Sequence, residues 1–188
     1  MRQEEIWDDF YSKNRTAWRG NTVIPVPNTG KALDLGCGNG KTVSTLIDEG
    51  YQVTGVDFSS VAVESCRKSF KDSEFVASSI LSLPFEDGSF DYVTAVHVLE
   101  HLNDEELCQA VSEISRVLKD DGYVFVRSFT ENDMRSKDRT KSEIFYRFYD
   151  IETLTKAFEG FAVAEAGIKE DRTRFGTVRS RAEVLFRK

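Results

Sequence analysis

Short apolar runs alternate along this chain with longer stretches whose apolar positions have helical spacing. The runs predict strands over 31–35, 52–57, 73–77, 90–96, 122–129, 161–168 and 179–187. The stretches between them predict helices over 40–49, 60–71, 103–118 and 151–159. Such alternation builds a parallel-dominated sheet with helices on both faces, and ligands then sit beyond the carboxyl ends of the strands. Two segments fall outside the pattern. Residues 1–30 carry Trp7 and Tyr11, spaced to put both rings on one face of a short helix. Residues 130–150 begin charged and end aromatic, Phe145-Tyr-Arg-Phe-Tyr149, and loops of this length are often lids. The chain therefore divides as one domain: an N-terminal lid segment 1–30, a core 31–129, a lid loop 130–150, and a C-terminal helix with strands 151–188.

The first strand stops at a glycine-rich turn, Asp34-Leu-Gly-Cys-Gly-Asn-Gly40, and a helical pattern follows. Gly36, Gly38 and Gly40 allow positive φ and remove the Cβ atoms that would hold a ligand away from the backbone. Asp34 lies inside an apolar run, where a carboxylate needs a partner. A phosphate-binding loop ending at Gly40-Lys41-Thr42 would need glycine at 35, which is Leu. A dinucleotide fingerprint from Gly36 and Gly38 would need glycine at 41, which is Lys. The second strand ends in Asp57-Phe58, about twenty residues past the first glycine, where an acidic residue can accept from ribose hydroxyls. Phe58 is placed to lie against a base.

What remains, D-x-G-x-G-x-G, resembles the first motif of class I S-adenosylmethionine-dependent methyltransferases. Further segments resemble the same family in order: Leu83-Pro84-Phe85 with Ser89-Phe90-Asp91, then Val98-Leu-Glu-His101, then Arg116-Val-Leu-Lys before Gly122 and a strand. The resemblance covers roughly 31–129 and implies a Rossmann-like, doubly wound, seven-stranded α/β sheet, mostly parallel, with an antiparallel last strand inserted beside its neighbours. It implies S-adenosylmethionine as cofactor and S-adenosylhomocysteine as product. Asp34, Gly36, Cys37, Gly38, Asn39, Gly40, Asp57, Phe58, Ser79, Ile80 and His97 would then bind the cofactor, with Arg19 reaching its carboxylate. Ser79 stands where the family usually has Asp, and a hydroxyl accepts a weaker bond than a carboxylate. The acceptor is expected to be a small molecule, pocketed by the two lid segments. His97, or Tyr146 with Arg147 nearby, are the candidates for a base. The rival readings are a non-catalytic S-adenosylmethionine-binding module and a nicotinamide-dependent oxidoreductase.

His97-Val-Leu-Glu-His101 also spells an inverted zinc-protease motif. That motif needs one continuous helix, and His97 falls at a strand end, so no metal is expected. Net charge is −7, which argues against non-specific nucleic-acid binding. It is uneven: residues 1–134 carry 12 basic against 23 acidic side chains, residues 135–188 carry 13 against 9. The basic tail could attract an anionic acceptor or form a solvated face. No apolar run is long enough for a membrane span. Three unpaired cysteines and a polar N-terminus predict free thiols and a cytoplasmic location.

Overall fold

The computed structural model describes residues 3–14, 22–137 and 144–188. Five strands run parallel at its centre: β1 (Lys31–Leu35), β2 (Gln52–Asp57), β3 (Glu74–Ala77), β4 (Phe90–Val96) and β5 (Leu118–Phe129). β6 (Ala162–Arg172) and β7 (Val178–Arg187) complete a seven-stranded sheet in the order β3-β2-β1-β4-β5-β7-β6. β7 enters antiparallel between β5 and β6, so the expected antiparallel insertion of the last strand is present.

Helices cover both faces because β1 and β4 bury nearly every residue. On one face α2 (Lys41–Asp48) and α3 (Ser60–Ser69) set Val43, Leu46, Val63 and Cys66 against Val53, Tyr92 and Phe125. On the other, α4 (Asp104–Val117) and α5 (Ile151–Ala157) bury Leu107, Ile114, Leu154 and Phe158 against Leu33, Val93 and Phe186. Asn103 and Glu106 close a capping box at the start of α4, satisfying donors that the first turn would otherwise leave unpaired.

The N-terminal helix α1 (Gln3–Lys13) has the expected aromatic face, with Trp7 and Tyr11 buried and their ring centroids 5.8 Å apart. It packs on α3, and Asp8 accepts hydrogen bonds from the Ser59 and Ser60 hydroxyls and the Val61 amide. A carboxylate there meets the positive end of α3. This anchor holds α1 over the carboxyl ends of β1 and β4. No described helix is long and apolar enough to cross a membrane.

Two boundaries differ from expectation by four residues, the others by two or fewer. β5 begins at Leu118, directly after α4, because Leu118 pairs with Phe90. Asp121, at φ 63°, and Gly122 are carried within the strand, across a register shift between Phe90 and Tyr92. β6 runs to Arg172 rather than 168, forming a long arm with β7 that continues past the sheet's ligand end.

Candidate functional site

The turn after β1 is built to bring backbone close to a ligand. Gly36 and Gly38 have φ of 65° and 51°, left-handed conformations that favour glycine. A Cβ on Gly36 would lie 2.6 Å from Val98 Cγ2, and one on Gly38 would lie 2.6 Å from the Tyr11 hydroxyl. The turn is fixed from the neighbouring strand. The Cys37 amide donates to the Val56 carbonyl at 2.9 Å. The Gly38 amide donates to Asp57 Oδ2 at 2.9 Å, and the Ser59 amide donates to Asp57 Oδ1 at 2.9 Å. Asp57 therefore locks the glycine turn to the end of β2 and still has lone pairs on both oxygens.

Two adjoining cavities open here. The first, about 280 Å³, has Gly36, Asp57, Phe58, Ser79, Ile80 and Leu102 in its walls, with α1 closing it from above. The second, about 530 Å³, is bounded by Cys37, Gly38, Asn39, Phe129 and Tyr146 among others. Trp7, Tyr11, Gly36, His97 and His101 line both.

His97 sits at the junction in an unusual conformation, φ 58°, one residue past β4. Its ring stacks on Phe129 at 3.9 Å between centroids. Its Nδ1 lies 2.9 Å from Glu100 Oε1, and the Ser128 hydroxyl donates to Glu100 Oε2 at 3.0 Å. Glu100 is fully buried. Burial alone would push its carboxyl up, but the facing His97, with His101 behind it, holds it below the usual carboxylate range. An ionised carboxylate only accepts, so His97 Nδ1–H donates to it and Nε2 is the ring nitrogen left for a ligand. His101 faces elsewhere, its Nδ1 2.9 Å from the Phe145 carbonyl. The two histidines of the H-x-x-E-H stretch thus sit on a strand end and a 3-10 turn, each held by a different group.

Not every expected site residue reaches a cavity. Asp34 is buried behind the turn, where the Thr94 hydroxyl donates to its Oδ1 at 2.7 Å. Burial, eased by that bond and reinforced by the nearby Asp57, pushes its carboxyl up to about 7. Relative to an exposed aspartate, this costs stability that grows as pH rises from about 4 towards 7. Gly40, expected at the ligand, instead serves packing: a Cβ there would fall 2.3 Å from Phe70 Cε2. Arg147 turns away to Asp104 at 2.6 Å, because that exposed carboxylate at the start of α4 gives it a partner. Tyr146 does line the second cavity, with its ring against His101 at 4.5 Å. Arg19 lies outside the described residues. Sequence reasoning missed Glu100, although a carboxylate three residues after His97 within Val98-Leu-Glu-His-Leu102 was a signal.

Burial also raises the Asp57 carboxyl, to about 6, against the pull of the Ser59 and Gly38 amides, and Asp8 adds to the rise. Asp8 and Asp57 make this end of the site electronegative. Among the described residues no group of three or more His, Cys, Asp or Glu is arranged to hold a metal ion.

The methyltransferase-domain family matches residues 33–126, half of the chain. A demethylmenaquinone methyltransferase from Renibacterium salmoninarum is 31% identical over 130 residues, 67% of this chain and 54% of that protein. A tRNA N(3)-methylcytidine methyltransferase from Schizosaccharomyces pombe is 26% identical over 172 residues, 76% of this chain and 56% of that protein. The chain thus spans just over half the length of these relatives. Among solved structures, a 1,6-didemethyltoxoflavin-N1-methyltransferase from Burkholderia thailandensis, with S-adenosylhomocysteine bound, overlays with a TM-score of 0.76. That overlay covers 98% of this chain and 86% of the other at 16% identity, which establishes likeness of fold.

Proposed function

This chain belongs to the methyltransferase-domain family, and from that premise we propose that it transfers a methyl group from S-adenosylmethionine to a small-molecule acceptor. One observation carries the reading most. The glycine turn, at positive φ, is tied through the Gly38 amide to Asp57 at the wall of a nucleoside-sized cavity.

The residues fit the cofactor. Asp57 offers acceptors to a ribose, while Phe58, Ile80 and Leu102 give an apolar slot for a base. Ser79 can contribute one neutral hydrogen bond to the base edge; its hydroxyl oxygen already accepts from the Leu81 amide at 3.2 Å. The carboxylates of Asp8 and Asp57 favour a ligand with positive charge. When bound, S-adenosylmethionine supplies a methyl group already activated on a sulfonium. The protein's part is to hold the acceptor in line and exclude water, and orientation of this kind can supply ~7–11 kcal/mol. Trp7 and Tyr11 roof the junction of the two cavities and shield it. Where the acceptor must lose a proton, His97 Nε2 takes it. Glu100 orients the ring by accepting from Nδ1–H and faces the positive charge the ring then gains.

A non-catalytic binding module would have no use for the second cavity or for a histidine held by a buried carboxylate at the junction. Ligand stabilisation tests the cofactor assignment. S-adenosylhomocysteine at 100 times its dissociation constant should stabilise the fold by ~2.7 kcal/mol, raising the melting temperature by about 5–10 °C. NAD and ATP should leave it unchanged. A rise with NAD and none with S-adenosylhomocysteine would put the chain among nicotinamide enzymes.

A further inference from the structure

The second cavity carries a charge opposite to that of the chain around it. Six cations line it: Lys41, Arg127, Arg135, Lys169, Arg179 and Arg181, against the carboxylates of Asp171 and Glu183. The whole chain is at −7. The cations are gathered by strand register. On one side of the sheet, Arg127 of β5 stands opposite Glu183 of β7, and Phe129 stands opposite Arg181. Across the next ladder Arg181 stands opposite Lys169, and Arg179 opposite Asp171. Lys41 joins them from the first turn of α2.

Some of these charges have structural work. Arg127 is tied to Glu183 at 2.8 Å and to Thr22 and Val23. Arg135 pairs with the buried Asp133 at 3.2 Å and lies over the Phe129 ring. The others are less well met. Arg181 reaches Asp171 through one arm, but among the described residues its buried Nε has no hydrogen-bond partner. Among the described residues no carboxylate stands within ion-pairing distance of Lys41, Lys169 or Arg179. Like charges directly opposite one another destabilise a ladder, as Arg181 and Lys169 do here. Burial first, and then the neighbouring Arg127, Arg179 and Arg181, pull the Lys41 ammonium below its ordinary range. Protection of an exposed sheet edge would account for charge on β6. It would not account for a half-buried arginine on β7, an interior strand, with a donor left unmet.

We propose that this cavity takes an anionic acceptor, a small carboxylate or phosphate ester. Lys41, Lys169, Arg179 and Arg181 hold its anionic group while its nucleophilic atom faces His97. The proposal rests on the methyltransferase reading and names the substrate class. An anion would fill the missing bond at Arg181 and neutralise the Arg181–Lys169 pair. The site is divided electrostatically, with carboxylates beside the nucleoside cavity and cations in the acceptor cavity, so each ligand is steered to its own side. A small anion fits better than RNA because the six cations converge on the lining of one cavity of about 530 Å³.

The test uses the full chain, free and saturated with S-adenosylhomocysteine, titrated with inorganic phosphate, with citrate and with a short single-stranded RNA. Wild type should bind phosphate or citrate saturably, and which of the two binds tighter separates phosphate ester from carboxylate. Lys169→Ala with Arg179→Ala, both exposed and far from the core, should weaken that binding at least tenfold and leave S-adenosylhomocysteine affinity unchanged. Anion binding equal in wild type and variant, or absent from both, overturns the proposal. So does RNA that binds in the micromolar range while phosphate and citrate do not. Failure to bind S-adenosylhomocysteine is read separately and bears on the cofactor assignment, since the free protein still reports on the anion cavity.

Discussion

Asp57→Ala should lower affinity for S-adenosylhomocysteine by tens to about a hundredfold. The carboxylate accepts from the Gly38 and Ser59 amides at 2.9 Å each and has lone pairs remaining for a ribose. Loss of one charge-assisted pair costs on the order of 2–3 kcal/mol. The same substitution releases the glycine turn from β2, which adds to the loss. Ser79→Ala removes one neutral bond and should cost much less. Affinity should also depend on pH. Burial holds the Asp57 carboxyl at about 6 in the free protein. Hydroxyl donors favour the ionised form, so binding should weaken as pH falls through about 6 and level off above it. Calorimetry of wild type and both variants from pH 5 to 8 reads all of this. Wild-type affinity in Asp57→Ala would reduce the residue to a brace for the turn.

His97→Ala should cut turnover by about 10² or more, the usual scale for a positioned base, with little change in cofactor affinity. Glu100→Gln should have a smaller effect. Glutamine can still accept from His97 Nδ1, but it lacks the charge that favours the imidazolium. A purely structural histidine would not alter the pH profile. A base should give wild type an acidic limb in kcat that His97→Ala lacks. Because Glu100 is fully buried and also bonded to Ser128, melting temperature must accompany the Glu100→Gln kinetics. Full turnover in His97→Ala would mean that the acceptor arrives already deprotonated.

The elements that positioned the cofactor side were legible because they are apolar runs cut off by turn chemistry. β1, β2 and β4 have the expected bounds, each a buried run ending at glycine, aspartate or histidine. The turn, Asp57, Phe58, Ser79, Ile80 and His97 all line the cavities. The acceptor side was harder to read. β6 is exposed on both faces through nearly its whole length, so no apolar alternation marks where it ends. The basic character of residues 135–188 was visible as composition, but only the β5–β7–β6 register shows Arg181 beside Lys169 and above Arg127. Asp34 and Gly40 illustrate a different limit. A motif shows which residues recur together, and it takes packing to show that Asp34 serves Thr94 and Gly40 makes room for Phe70.

Methyl transfer itself is tested most directly with S-adenosylmethionine carrying a labelled methyl group, incubated with the full chain and the low-mass fraction of a cell extract, then separated by size and charge. The protein should move label into a small anionic compound and release S-adenosylhomocysteine in equal amount, and His97→Ala should slow both together. Label found only in the RNA of an unfractionated extract, or none transferred to any fraction while S-adenosylhomocysteine still binds, would contradict a small-molecule methyltransferase.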